Sequence, residues 1–238
     1  MTWSIITRDG TTGKFGIAVA TRFFAVGALV PHVQSGVGAI ATQALVNPFF
    51  GVNGLKLLRQ GKSAADVVQM LVTGDAGRDH RQLHVMDVRG RIAAHTGAAC
   101  VDWCGHRAGD EFSVAGNMLA GPRVLEATQA AYAANGALAL PRRLIAALRA
   151  GEAAGGDKRG KQSAALVIQG DEEWPELDLR VDDHPDPLAE LERLERVSRE
   201  RFTHFFHVLP SHRDPVGVTD RDAIETEIAR SVAAEGRS

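Results

Sequence analysis

A chain of 238 residues, 45% hydrophobic and 24% charged, has the balance of an ordinary globular protein and the length to bury a core without covalent staples. Its 27 basic side chains meet 29 acidic ones with no long basic stripe, which argues against a nucleic-acid partner. No apolar run reaches the roughly 18 residues of a membrane span, no signal peptide is read at the N-terminus, and Cys100 and Cys104 make no disulfide framework; the expectation is a cytoplasmic protein.

Ser4 to Arg8 and Phe15 to Thr21 read as strands around the turn Asp9-Gly10-Thr11-Thr12-Gly13, a β-hairpin. Gly38 to Thr42 is a third strand of small residues. Gly51 to Gln60 reads as a helix ending at Gly61, and Ser63 caps a second with Asp66 in its first turn. Gln82 to Val88, Arg91 to His95 and Phe112 to Ala115 are short strands. Helices follow from Pro122 to Ala134 and from Pro141 to Ala150, the latter stopped by Gly151. Gly151 to Gly160 is a loop, and Gln162 to Ile168 and Leu177 to Val181 are strands. Asp186-Pro187 opens a long helix to about Phe206, with Leu188, Leu191, Leu194 and Val197 at helical spacing. The expected organisation is one domain over 1–208 and a polar tail over 209–238 with a short helix near Ala223 to Val232. Segregated blocks of strands and helices predict a layered α/β fold and not a doubly wound parallel sheet.

Several residues have the chemistry for a site. Thr2 follows the initiator methionine, and removal of Met1 gives its hydroxyl a free α-amine as its own base. That amine has an unperturbed pKa near 8. Ser4, two residues on, faces the same way in a strand. Asn117 stands at a strand end beside Gly116 and has an amide to offer an oxyanion, with Gln43 as the alternate. The stretch Gly155 to Ala165 brings Asp157, Lys158, Arg159 and Ser163 to a glycine-rich loop entering an apolar strand; it lacks P-loop spacing, and a charged surface loop is the plainer reading. Asp182 and Asp183 end a strand, where they are placed to hold Arg22 or Arg159. Cys100, Cys104 and His106, with His95 upstream, are zinc-competent ligand types in no common knuckle spacing; buried, unreactive cysteines are the plainer reading.

The stretches Thr2 to Asp9, Gly16 to Ala28, Gly36 to Ala44, Ala115 to Leu119, Gly155 to Ala165 and Asp178 to Pro187 together resemble the domain-of-unknown-function-1028 family of the Ntn-hydrolase superfamily. The resemblance covers about residues 2 to 206. It implies a four-layer αββα sandwich, two packed antiparallel sheets flanked by helices. It also implies a nucleophile at the processed N-terminus, here Thr2, and hydrolysis of an amide bond. It brings no settled substrate.

The reading is an N-terminal-nucleophile amidohydrolase cleaving a C–N bond in a small metabolite or short peptide through an acyl-enzyme on Thr2. Asn117, Asp157 and Ser163 complete the catalytic set; Arg22, Gln43, Lys158 and Arg159 bind substrate. No cofactor and no metal are expected, and a homodimer is the default assembly. The alternatives are a non-catalytic binding or assembly protein of the same fold, and a metal-dependent hydrolase using Cys100, Cys104 and His106.

Overall fold

The computed structural model describes residues 2–235. Its elements in chain order are β1 Thr2–Arg8, β2 Phe15–Thr21, β3 Pro31–Gln34, β4 Gly38–Ala44, α1 Pro48–Arg59, α2 Ala64–Thr73, β5 Arg81–Asp87, β6 Ile92–Thr96, β7 Gly105–Gly109 and β8 Phe112–Asn117. There follow α3 Arg123–Ala134, α4 Leu140–Ala153, β9 Ser163–Gln169, β10 Leu177–Val181, α5 Pro187–Ser198, α6 Phe202–Phe205 and α7 Arg221–Glu235. None of the described helices is long and apolar enough to cross a membrane.

The strands form two antiparallel sheets, a six-stranded one in the order β10-β9-β2-β1-β8-β7 and a four-stranded one in the order β3-β4-β5-β6. Strand β1 lies at the centre of the larger sheet and contacts β4 and β5 of the smaller. Helices α3 and α4 contact the larger sheet, and α1 and α2 the smaller.

Period-2 alternation sorts the side chains between these surfaces. In β1, Ile6 packs toward the second sheet with Phe15, Ile17, Val19, Ala39, Ala41 and Met86. The alternate residue Thr7 turns toward the helices, where its hydroxyl meets that of Tyr132 at 2.5 Å. In β4 and β5, Ile40, Leu83 and Val85 face outward onto Phe50, Val67 and Leu71 of α1 and α2. The small residues Ala39 and Ala41 of β4 let the two sheets approach.

Capping accounts for two helix starts. Asn47 accepts from the Phe49 amide at 3.1 Å, and Ser63 and Asp66 form a reciprocal capping box.

Two strands are not read from the sequence, and two expectations are corrected. Strands β3 and β7 carry no hydrophobic alternation: both are edge strands, β3 opening on a proline and β7 reading Gly-His-Arg-Ala-Gly. The single helix expected from Asp186 to Phe206 ends at Ser198, where the Arg199 and Glu200 amides close onto the carbonyls of Arg196 and Val197 three residues back. Gly151 does not stop α4, which runs on to Ala153.

Gly151 is instead a contact glycine. A Cβ there would lie 2.3 Å from Thr128 Oγ1, 2.9 Å from Trp3 Nε1 and 3.3 Å from the Val124 carbonyl oxygen. In an exposed helix, Gly→Ala gains about 1 kcal/mol. Overpacking a tight core costs about 1–3 kcal/mol, and here the clash includes backbone. Gly151→Ala is therefore expected to destabilise the protein, read as a lower urea midpoint with unchanged slope; a raised midpoint would contradict the contact.

Contacts group the chain into two compact units, Met1–Leu191 and Glu192–Ser238. Within the second, buried His204 bonds the Ser231 hydroxyl at 2.8 Å and the Arg199 carbonyl at 2.9 Å, and Arg201 pairs with Glu225.

Candidate active site

The register of the large sheet places Thr2 opposite Asn117, Trp3 opposite Ala20, and Thr21 opposite Ser163. Asn117, Thr2, Thr21 and Ser163 thus form one polar row across β8, β1, β2 and β9. Thr2 Oγ1 lies 3.2 Å from Thr21 Oγ1. A second polar row, Gln43, Gln82 and Thr96, runs across β4, β5 and β6 of the small sheet. Farther along the same strands the layer between the sheets turns apolar around Ile6 and Met86.

Backbone carbonyls fix the orientation of this network. The two hydrogens of Gln82 Nε2 are shared among the carbonyls of Gly116 at 2.8 Å and Gly105 at 3.0 Å and Thr96 Oγ1 at 2.9 Å. Its Oε1 must then face the other way, where it accepts from Gln43 Nε2 at 2.8 Å and Asn117 Nδ2 at 3.0 Å. Gln43 is oriented in turn: its Nε2 also points to the Thr2 carbonyl at 3.5 Å, and its Oε1 accepts from Ser4 Oγ at 2.6 Å. The only hydrogen of the Ser4 hydroxyl is committed to Gln43, so His84 Nε2, 2.9 Å from Ser4 Oγ, carries its own hydrogen and donates. His84 Nδ1 lies 3.0 Å from Ser113 Oγ, which also lies 3.4 Å from the Arg107 carbonyl.

That chain of donors decides against Ser4 as a nucleophile. A Ser–His pair needs an imidazole lone pair facing the hydroxyl, whereas here an N–H faces it, and Ser4 and His84 are fully buried. Burial, followed by the charge of His106, holds the His84 pKa down to about 3. The native value lies below the ordinary 6.5 of an unfolded histidine. Below pH 6.5 the unfolded chain therefore takes a proton that the native state refuses, and stability falls as pH drops from about 6.5 toward 3. The slope from this group is about 1.4 kcal/mol per pH unit, or roughly 2 kcal/mol between pH 7 and 5. Urea titrations at the two pH values check it: His84→Asn is expected to be less stable at pH 7 but flatter with pH, and an equal slope in both proteins would refute the assignment.

Thr2 and Gln43 line a cavity of about 70 Å³. Its remaining lining residues are apolar: Phe23, Val26, Leu29, Val30, Ala44 and Val46. The backbone around it is strained, with Ala25 at φ 52°, Ala44 at φ 72° and Met118 at φ 53°. Ala25 and Met118 follow β2 and β8, and Ala44 ends β4; left-handed non-glycine residues gather at functional sites.

The expected site residues fall into two groups. Thr2, Asn117 and Gln43 meet in the network. Gln43 has both N–H bonds directed at Gln82 and Thr2, while Asn117, paired with Thr2 across the strands but outside the cavity lining, has a second N–H beyond the one on Gln82. Asp157 and Ser163 brace the segment 22–28 that carries the cavity wall. Asp157 accepts from the Arg22 amide at 2.8 Å and pairs with Arg159; Ser163 accepts from the Val26 amide at 3.1 Å and donates to the Phe23 carbonyl at 2.5 Å. The cationic side chains point elsewhere. Arg22 donates to the Lys161 carbonyl and Lys158 to the Asp102 carbonyl, and neither these nor Arg159 lines the cavity. Asp182 is paired with Arg180, and Asp183 accepts from Gln162, so neither holds Arg22 or Arg159 through a contact of this kind.

The zinc set does not assemble. Cys100 Sγ points to the Arg81 carbonyl, Cys104 Sγ to the Cys100 carbonyl and Asp102, and His106 Nδ1 to Thr96 Oγ1. Burial raises both thiol pKa values, away from the thiolate a metal needs. Among the described residues no three His, Cys, Asp or Glu side chains converge as a ligand set.

Thr21, Gln82, His84, Ser113 and the apolar cavity wall were not singled out by the sequence. Thr21 and Ser113 sit near the ends of otherwise apolar strands, while Gln82 and His84 carry no local signal of their role. Met1 lies outside the described residues.

The chain belongs to the family of unknown function DUF1028, which matches residues 2–191. A solved structure of that family, the protein SPO2555 from Silicibacter pomeroyi, is similar at 35% identity and a TM-score of 0.86, over 92% of this chain and 96% of that one. Anbu (ancestral beta-subunit) from Yersinia bercovieri aligns over 88% of this chain and 98% of its own at 13% identity; a TM-score of 0.39 is too low to inform fold or function. No curated protein matches the chain.

Proposed function

We propose that the protein is an N-terminal-nucleophile amidohydrolase on a four-layer αββα Ntn sandwich, with Thr2 as its nucleophile. The observation that carries the reading is the place of Thr2, at the start of the central strand with its side chain row facing the second sheet, lining a cavity beside Gln43. Once Met1 is removed, the α-amine and the hydroxyl of Thr2 share one rigid residue.

The Thr2 hydroxyl oxygen attacks the amide carbonyl carbon, and its proton passes to the α-amine. Asn117 donates to the oxygen that becomes negative. The amine then protonates the leaving nitrogen, the C–N bond breaks, and an ester on Thr2 and a free amine result. Water adds to the ester with the α-amine taking its proton; the ester bond breaks, releasing a carboxylic acid and restoring Thr2. Asp157 and Ser163 are positioning residues in this scheme, acting through segment 22–28.

The test is chemical. Untagged protein is expected to lose Met1 by intact mass, and a small β-lactone to leave an acyl adduct on the peptide that begins at Thr2. A retained Met1, or an adduct that persists in Thr2→Ala, would end the proposal.

A further inference from the structure

We infer that the cavity beside Thr2 is the acyl subsite, and that it takes a short, uncharged aliphatic group. The inference rests on Thr2 as nucleophile and names the substrate class of that same site.

Size sets the first limit. A dry protein cavity of roughly 150 Å³ accommodates the six carbons of benzene. A cavity of about 70 Å³ therefore takes about three carbons, or four where the open side lends room. Polarity sets the second limit. Among the described residues that line it only Thr2 and Gln43 are polar, and the Gln43 amide is already committed within the network. Among the described residues that line it none is charged, so a carboxylate or ammonium on the acyl group would be desolvated without a partner. On this reading Arg22, Lys158 and Arg159 do not bind the acyl group of the substrate.

Rigidity makes these limits selective. Phe23 and Val26 sit on the segment that Ser163 fastens through both the Phe23 carbonyl and the Val26 amide, while the buried Asp157 holds the Arg22 amide. On the opposite wall Ala44 ends β4 in a left-handed conformation. The backbone of this wall is thereby held, while the Phe23 side chain on it is 55% exposed. Leu29 is only partly buried, so trimming it enlarges the subsite with little effect on the core.

The experiment has two arms. In the first, acetyl, isobutyryl, isovaleryl, octanoyl and succinyl p-nitroanilides are compared on the wild-type protein. The optimum is expected at isobutyryl or isovaleryl, about ten-fold or more above acetyl and octanoyl, with succinyl lower by at least about a hundred-fold. Leu29→Ala, with Val46→Ala as the second variant, is expected to move the optimum toward octanoyl. In the second arm, isovaleramide, octanamide and succinamate are titrated into the inactive Thr2→Ala protein and followed through the valine and leucine methyl resonances. Isovaleramide is expected to shift the resonances of Leu29, Val30 and Val46, and succinamate not to.

Preference for succinamate or octanamide in this arm, or an optimum that neither variant moves, overturns the subsite. Isovaleramide binding at these residues without turnover of any anilide by the wild type leaves the subsite standing and removes Thr2 catalysis instead.

Discussion

Thr2→Ala is expected to lower kcat/KM for any amide the protein hydrolyses by on the order of 10⁴-fold or more, the scale at which loss of a hydroxyl nucleophile registers. The folded state is expected to survive. Thr2 is buried, but its side chain makes one described hydrogen bond, to Thr21, and its loss belongs to the ordinary range of about 1 kcal/mol. Thr2→Ser keeps the oxygen and the amine and loses only a methyl, so it is expected to retain activity within about a hundred-fold. An uncleavable N-terminal extension leaves the hydroxyl but removes the free amine, and should abolish activity as completely as the alanine variant. That pairing distinguishes a nucleophile with its own base from a hydroxyl that merely binds. Ser4 cannot rescue the alanine variant, because its proton is held by Gln43 and an N–H of His84 faces it. An extended protein as active as the processed one would refute the mechanism, whatever the alanine result.

The features legible in the sequence were those that local chemistry dictates. The hairpin of β1 and β2 follows from alternating apolar runs around Asp9 to Gly13, whose Asp9 carboxylate accepts from the Thr11 and Thr12 amides. The Ser63 capping box was visible for the same reason. Thr2 could be nominated by its place after Met1 and Asn117 by its amide at a strand end, and the register sets them side by side. What escaped depends on partners distant in sequence. Gly151 has the signature of a helix stop, and only the approach of Trp3 and Thr128 makes it a packing residue. Arg22, Lys158 and Arg159 have the chemistry of anion binders, yet their directions are set by the Lys161 and Asp102 carbonyls and the Asp157 carboxylate. Gln82 sits in a strand with nothing local to mark it, and its role exists only where β4, β6 and β8 converge.

Gln82→Met gives the second large effect. Methionine matches the length and shape of glutamine, so packing changes little, while five hydrogen-bonding partners lose their counterpart. Three of these lie deepest: Gln43 Nε2, Asn117 Nδ2 and the Gly116 carbonyl. A buried polar group left unsatisfied costs about 1–3 kcal/mol, so the three together are expected to cost about 3–9 kcal/mol against a domain stability of about 5–15 kcal/mol. The lower end shifts the urea midpoint strongly, and the upper end leaves no folded protein at 37 °C. If the cost arises from orphaned partners, it should shrink when a partner is removed too. Gln43→Met combined with Gln82→Met is therefore expected to be less destabilised than the sum of the single variants by more than about 1 kcal/mol. Gln43→Met alone frees Ser4 to reorient and is expected to be the milder change. Strict additivity would mean that the two amides act separately, and the orientation of the network from the Gly105 and Gly116 carbonyls through to His84 would then need another origin.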